Sequence, residues 1–269
     1  MGSDEKCGAN FRLCHSAAAL WLFNCSKTTG RDWAALSHRY VNVNRGTDPR
    51  EIAEVIRTNA ADIVCLQEAD NLENGIRAAL SKEYRTIEFH DSEERVGGGF
   101  MFLSKYPARE IARIPTASGW FDGWIMTFDT PLGPVQVLNV HLQPPYGRWG
   151  GWVGGYFTTR GERLREIKHF YSYCDPKLPL IVAGDFNDTT HSRAVRFLKR
   201  KGLKNALPQF DRHTPTWYWP TRVVTLRRRM DHILYSRELE CASARVIQRG
   251  PSDHFPVEAV FTGAGANPR

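Results

Sequence analysis

The sequence has no apolar run of about eighteen residues, the length a helix needs to cross a bilayer, so no helical membrane span is expected. Its six cysteines show neither metal-ligand nor disulfide spacing, which argues against a zinc-built or disulfide-stapled scaffold. Cys65, inside Ile63-Val64-Cys65-Leu66, reads as a small buried hydrophobe. Internal repeats and low-complexity tracts are also lacking, and no composition break marks a linker. The chain is therefore neither a repeat array nor a string of tethered modules.

What is present is 269 residues, 42% hydrophobic and 24% charged, enough to bury a sizeable core. The net charge of +7 is unevenly spread. Residues 186–249 hold 14 Lys or Arg against 5 Asp or Glu, so they carry +9 and the remainder −2. A basic lobe suits a polyanion, either nucleic acid or an anionic lipid surface. A solvated basic face explains the same count, because charge alone specifies no partner.

Residues 1–36 read as a poorly patterned, loosely packed tail. Lys6 to Asn24 has a basic start and a short apolar stretch but no small-residue cleavage site, and Leu22-Phe23-Asn24-Cys25 is a weak lipidation site. The cytoplasm is favoured, with export left open. Beyond the tail, His38 to Asn44 alternates like a strand. Asp48 and Pro49 open a helix as cap and first residue, with Ile52, Val55 and Ile56 as its buried stripe.

A second helix is expected from about Asn71 to Ser81, and others over Arg160 to Tyr171 and Arg193 to Lys201. On the helix over Arg160 to Tyr171, Leu164, Ile167, His169 and Phe170 form the apolar side. Strands are expected at Ile63–Leu66, Gly99–Ser104, Ile125–Phe128, Val135–Leu142, Leu180–Ala183, Met230–Tyr235 and Val257–Phe261. Long β runs unbroken by helices predict an α/β chain built as a four-layer α/β/β/α sandwich. Two mainly antiparallel sheets would be flanked by helices, rather than forming a doubly wound parallel sheet. One domain is expected over residues 37–262, followed by a tail at 263–269, as a monomer.

Polar residues recur just beyond these strands: Asn42 and Asn44, Glu68, His141, Asp185 and Asn187, Asp231, Asp253 and His254. Singly, each has a structural explanation as a surface carboxylate, a turn former or a satisfied strand-end side chain. Together they resemble, in order and type, the endonuclease/exonuclease/phosphatase superfamily. The stretches that carry the resemblance are Val41-Asn42-Val43-Asn44-Arg45-Gly46, Ile63-Val64-Cys65-Leu66-Gln67-Glu68, Asn139-Val140-His141-Leu142, Gly184-Asp185-Phe186-Asn187, Arg229-Met230-Asp231-His232-Ile233-Leu234 and Ser252-Asp253-His254-Phe255-Pro256.

The resemblance implies a metal-dependent phosphodiesterase, most simply a nuclease acting on DNA or RNA through in-line attack of water. Glu68, Asn42 and Asp253 would hold Mg²⁺ or Mn²⁺, hard cations that take oxygen ligands. Asp185 would position and deprotonate the water, and Asn187 would donate to a phosphoryl oxygen. Asp231 would orient His254, with His141 as the second imidazole, stabilising the transition state or protonating the leaving oxygen. Many nucleases of this family carry an acid where this chain has Asn44, which weakens the case for a second metal.

Substrate contacts are expected from Asn44, from Tyr146, Arg148, Trp149 and Tyr156 in an aromatic, glycine-rich loop, from Arg160, and from Arg229 in the run Arg227-Arg228-Arg229. Arg193, Arg196 and Arg200 share one helical face, as in an ordinary amphipathic helix. A lipid or inositol phosphate hydrolase is the alternative, although the residues around Asp231 lack the Trp-x-Asp-Arg pattern of the 5-phosphatases. A non-catalytic binding module is the third reading.

Overall fold

The computed structural model describes residues 19–22, 35–42, 48–91, 97–117, 120–145, 152–220, 223–250 and 252–265; for 19–22, 35–42 and 152–154 only the backbone is described. A period of two sorts the strand side chains into two sets. In β3 (Ile63–Gln67), Ile63 and Cys65 join the central core while Val64 and Leu66 pack outward. β5 (Phe100–Ser104) pairs antiparallel with it and repeats the split, with Phe100 and Phe102 inward and Met101 and Leu103 outward.

The opposing sheet obeys the same rule. β8 (Gly133–His141) turns Val135 and Val137 inward and Leu138 and Val140 outward. β9 (Leu180–Asp185) turns Ile181 and Ala183 inward, and β13 (Asp231–Tyr235) turns Ile233 and Tyr235 inward. Burial on both faces explains why these strands read as unbroken apolar runs.

The seven-stranded sheet has the order β14 (Leu239–Val246), β15 (Val257–Gly263), β1 (Ala19–Leu22), β2 (Ala35–Asn42), β3, β5, β4 (Thr86–His90). The six-stranded sheet runs β10 (Lys204–Asn205), β13, β9, β8, β7 (Gly123–Thr130), β6 (Ala108–Ile114). Pairing is mainly antiparallel, with β1–β15, β2–β3 and β8–β9 parallel. A separate ribbon pairs β11 (Trp217–Pro220) with β12 (Thr225–Arg228).

Helices α1 (Pro49–Asn59) and α2 (Glu73–Leu80) cover the outer face of the first sheet through Ile52, Ile56, Ile76 and Leu80. After α3 (Trp152–Thr158), α4 (Arg160–Tyr171) and α5 (Arg193–Arg200) cover the second sheet through Ile167, Phe170, Val195 and Leu198. The layers are thus helix, sheet, sheet, helix, as expected. Each large side chain fully buried between them contributes about 1.5–3 kcal/mol. Asp48 caps α1 by accepting from the Arg50 amide at 2.8 Å, and Pro49 takes the first helical turn.

Several expectations need correction. β1 lies inside the segment read as a tail and pairs with β2, β15 and β3, so the sheet draws on residues before 37. The first expected strand starts earlier and ends at Asn42. On α4, Ile167 and Phe170 are buried as expected, yet Arg163 and Glu166 are buried beside them, while His169 stays half-exposed.

The two sheets are clasped where β3, β8 and β9 end. Gln67 Nε2 donates to Asn139 Oδ1 at 2.7 Å and to the Val140 carbonyl. Gln67 Oε1 accepts from the Asp185 amide at 3.3 Å, and Asn139 Nδ2 donates to the Leu66 carbonyl at 3.2 Å. Only a residue without Cβ fits at 184, because a Cβ there would overlap the Val140 carbonyl and come within 2.8 Å of Gln67 Nε2. Gly184→Ala is expected to lower unfolding free energy by about 3 kcal/mol or more. Denaturant titration measures this, and a loss below about 1 kcal/mol would mean the clasp yields easily.

Candidate catalytic site

The inward faces of the central strands turn polar at one end of the core. On β8 the series Val135, Val137 continues to Asn139 and His141; on β9, Ile181 and Ala183 continue to Asp185; on β13, Tyr235 and Ile233 lead back to Asp231. Register does the rest. His141 stands opposite Asp185 across the parallel pair, and Asp231 stands opposite Asp185 across the antiparallel one. Three chemistry-bearing side chains therefore form a row on strands, which hold geometry better than loops.

Glu68 arrives from the other sheet, immediately after β3, with φ of 51°. A left-handed conformation is costly for a glutamate, on the order of 1 kcal/mol, and here it follows directly on the clasp residue Gln67. Glu68 Oε1 lies 3.9 Å from His141 Nε2, which lies 3.8 Å from Asp185 Oδ2. His254, between β14 and β15, is held by a backbone bridge to Trp217 and by its amide bond to Ser252 Oγ at 3.1 Å. Its Nε2 sits 3.8 Å from Asp185 Oδ2, while Nδ1 donates to Asp231 at 2.9 Å. None of these five residues is more than 4% exposed.

Asn187 also takes the left-handed region, at φ 48°, which an asparagine tolerates. That turn lets its amide donate to Asp185 Oδ1 at 2.6 Å while its Nδ2 donates to the Leu142 carbonyl at 2.9 Å. Asp185 is thus fixed through Oδ1 and turns Oδ2 toward both imidazoles. Trp217 donates its indole N–H to Asp253 Oδ2 at 3.1 Å. Asp253 Oδ1 is buried with no hydrogen-bond partner among the described residues.

The two imidazoles are pushed in opposite directions. Burial depresses His141 to about 3, and the charge on His254 adds to the effect. Burial would lower His254 too, but the Asp231 and Asp185 charges and the Asp231 hydrogen bond outweigh it and hold the ring at about 9. Burial raises Asp185 and Asp231 to about 6 against the pull of His254. At neutral pH His254 carries a proton and His141 does not. Divergent titration of neighbouring groups is the mark of an acid–base site.

A model of the Endonuclease/Exonuclease/phosphatase family matches residues 40–254. The chain belongs to this family. Members of the family hydrolyse phosphodiester bonds. No curated protein matches the sequence. Among solved structures, an endonuclease/exonuclease/phosphatase from Beutenbergia cavernae DSM 12333 superposes with a TM-score of 0.63 at 20% identity, covering 82% of this chain and 67% of that one. Beta toxin 275-280 from Staphylococcus aureus gives 0.61 at 17%, covering 79% and 90%. An AP endonuclease from Archaeoglobus fulgidus gives 0.60 at 17%, covering 79% and 93%. At such identities the likeness establishes the fold.

The family is generally dependent on a divalent metal, and the buried donors here fit one. Asp185, Asp231 and His254 each offer a ligand atom within 4.8 Å of the others. The closeness of Asp231 to His254 is explained by their mutual hydrogen bond, and a cation on that pair would have to break it. Glu68, Asp185 and Asp253 are the remaining oxygen donors, the type a hard cation prefers. That Asp185 is raised by burial means the protein's own cations leave it short of counter-charge.

Of the residues expected at the site, Glu68, His141, Asp185, Asn187, Asp231 and His254 meet, and the charge on Asp253 reaches Asp185, Asp231 and His254. Asn42 ends β2, and its side chain lies outside the described residues, as do Asn44, Tyr146, Arg148 and Trp149. Arg229 is a correction. Its guanidinium bonds the Asp211 and Thr214 carbonyls and the Asp211 carboxylate, so it staples that loop instead of facing the row. Tyr156 donates to Asp188 Oδ1 at 2.6 Å, and Arg160 lies over the Tyr156 and Phe157 rings at 4.6 and 4.5 Å.

Sequence reasoning missed the group beneath the row. Arg163, wholly buried, donates to Asp188 Oδ2 at 3.2 Å, to the Gln143 carbonyl at 3.2 Å and to the Tyr156 carbonyl at 2.9 Å. It ties together the chain leaving β8 and the chain leaving β9. Its one visible signal was Asp188 following Asp185 and Asn187. Phe121, stacked on His141 with centroids 4.0 Å apart, was missed too.

In the metal-free protein, nitrogen-detected NMR is expected to find His254 protonated until about pH 9 and His141 neutral down to about pH 3. Asp231→Asn removes the charge that favours imidazolium and should lower the His254 value by about one unit or more. Titration of both rings near 6.5, as for a free imidazole, would contradict the buried dyad.

Proposed function

We propose that the protein is an Mg²⁺- or Mn²⁺-dependent phosphodiesterase that cleaves nucleic acid by in-line attack of water. The observation that carries this reading is the row of His141, Asp185 and Asp231 closed by His254. Asp185 positions and deprotonates the water. A base titrating near 6 is mostly ionised at neutral pH yet still accepts a proton.

His254, protonated and backed by Asp231, supplies positive charge to the phosphoryl oxygens and a proton to the departing oxygen. The depressed basicity of His141 makes it a neutral hydrogen-bonding partner rather than the acid. Asn187 adds an amide donor. A divalent cation held by Glu68, with Asn42 and Asp253 as further oxygen donors, would supply Lewis-acid stabilisation of the developing charge.

One observation favours a lipid phosphodiester instead. Val223 and Val224, 94% and 56% exposed, begin the return arm of the β11–β12 ribbon, whose Trp217 bridges to His254. Exposed aliphatics on a basic ribbon suit a lipid interface. The basic lobe and the likeness to an AP endonuclease support nucleic acid.

Purified protein is expected to degrade oligonucleotides with Mg²⁺ or Mn²⁺ and to stop with EDTA. Asp185→Asn should slow turnover by about 10²–10⁴-fold with the fold intact. Metal-independent cleavage, or wild-type rates in that variant, would defeat the mechanism. Sphingomyelin turnover with DNA and RNA inert would move the substrate to lipid.

A further inference from the structure

We propose that the outer face of α5 is a phosphate-binding ridge that holds a nucleic-acid strand beyond the scissile phosphate. This rests on the nucleic-acid reading above and assigns that substrate a second place of contact. Residues 193–204 contain six Lys or Arg and no Asp or Glu. Ala194, Val195 and Leu198 face the core, and Arg193, Arg196, Lys199 and Arg200 are exposed. Arg193, Arg196 and Arg200 follow one another at steps of three and four, the spacing of one helix face.

The density of charge without compensation on one short helix is what marks this face. Arg57, Arg77, Arg113 and Arg165 each pair with a carboxylate. Among the described residues, no carboxylate pairs with Arg193, Arg196, Lys199 or Arg200. Like charges on one helix face repel, a cost that a bound polyanion would reverse.

Position supports the assignment. β9 ends in Asp185, and α5 begins at Arg193 after a short connection that contains Asn187. The helix then runs back along the sheet. Lys204 pairs with Tyr235, which pairs with Ile181 near the start of β9. The eight residues of α5 span about 12 Å, so the cations lead away from the catalytic row. Phe197, the large apolar residue of the helix, is half-buried against Tyr171, with ring centroids 5.7 Å apart. The face therefore offers charge without an apolar wedge, which suits a phosphate backbone better than a membrane interior.

The test compares the full chain with R193Q/R196Q/R200Q in EDTA, reading fluorescence anisotropy of labelled single-stranded and duplex DNA of about 20 nucleotides across about 50–200 mM salt. Glutamine keeps helix propensity, and circular dichroism checks the fold. The variant is expected to bind about tenfold or more weakly, with a log–log salt slope shallower by about 2–3. Its turnover of a bis-aryl phosphate should match wild type, because the ridge touches no reacting atom. R57Q, on the opposite helical layer, should bind DNA like wild type.

Equal affinities and slopes for wild type and the triple variant would overturn the ridge. So would an equal loss in R57Q, failure of wild type to bind either DNA, or ridge-dependent binding to phosphatidylserine vesicles alone. Failure of the catalytic reading looks different: DNA binding that still depends on the three arginines, with no metal-dependent hydrolysis of any phosphodiester.

Discussion

Gln67 crossing from one sheet to the other is the contact on which the catalytic end depends. Both ends of its amide are engaged with the second sheet, at Asn139, Val140 and the Asp185 backbone. A buried amide left unsatisfied costs about 1–3 kcal/mol, so the sheets are held at the separation that satisfies it. That separation brings Glu68 from one sheet to 3.9 Å from His141 on the other. The clasp also requires Gly184, since any side chain there would overlap the Val140 carbonyl that accepts from the crossing amide. Asp185 follows directly, so catalytic geometry and sheet packing share the same few residues.

A second layer of polar contacts holds what the strands alone do not. Arg163 binds Asp188 and the carbonyls of Gln143 and Tyr156 from a fully buried position. Glu166 accepts from the Gln143 amide at 2.8 Å and is raised by burial to about 7. Breaking one partner of such a network costs more than the pair contributes net, because a buried charge is left uncompensated. The loops leaving β8 and β9 are therefore set by the interior, and surface substitutions should disturb them little.

Sequence made the central strands legible because they are buried on both faces: Ile63–Gln67, Leu180–Asp185 and Asp231–Tyr235 read as apolar runs with polar ends. Those ends carry the candidate site. Edge strands were not legible. Ala108–Ile114 carries Arg109, Glu110 and Arg113 on a half-exposed ribbon and lacks a clear period. Pattern reading also follows apolar side chains, so the apolar stripe of α4 gave no sign that Arg163 and Glu166 are buried beside it. Arg229 had the opposite fate, since proximity to Asp231 in sequence said nothing of the Asp211 loop that captures it. The divergent charge states of His141 and His254 depend on distances and burial, which no spacing encodes.

The side chains of the candidate site and those of the core lie on the same side of the same pleats. A slip of β13 by one residue against β9 would turn Asp231 outward and bring His232 to the inner face. Such a molecule would lose its dyad together with the inward packing of Ile233 and Tyr235. Misassembled chains would therefore be inert rather than indiscriminate, a built-in safeguard for an enzyme whose chemistry is hydrolytic.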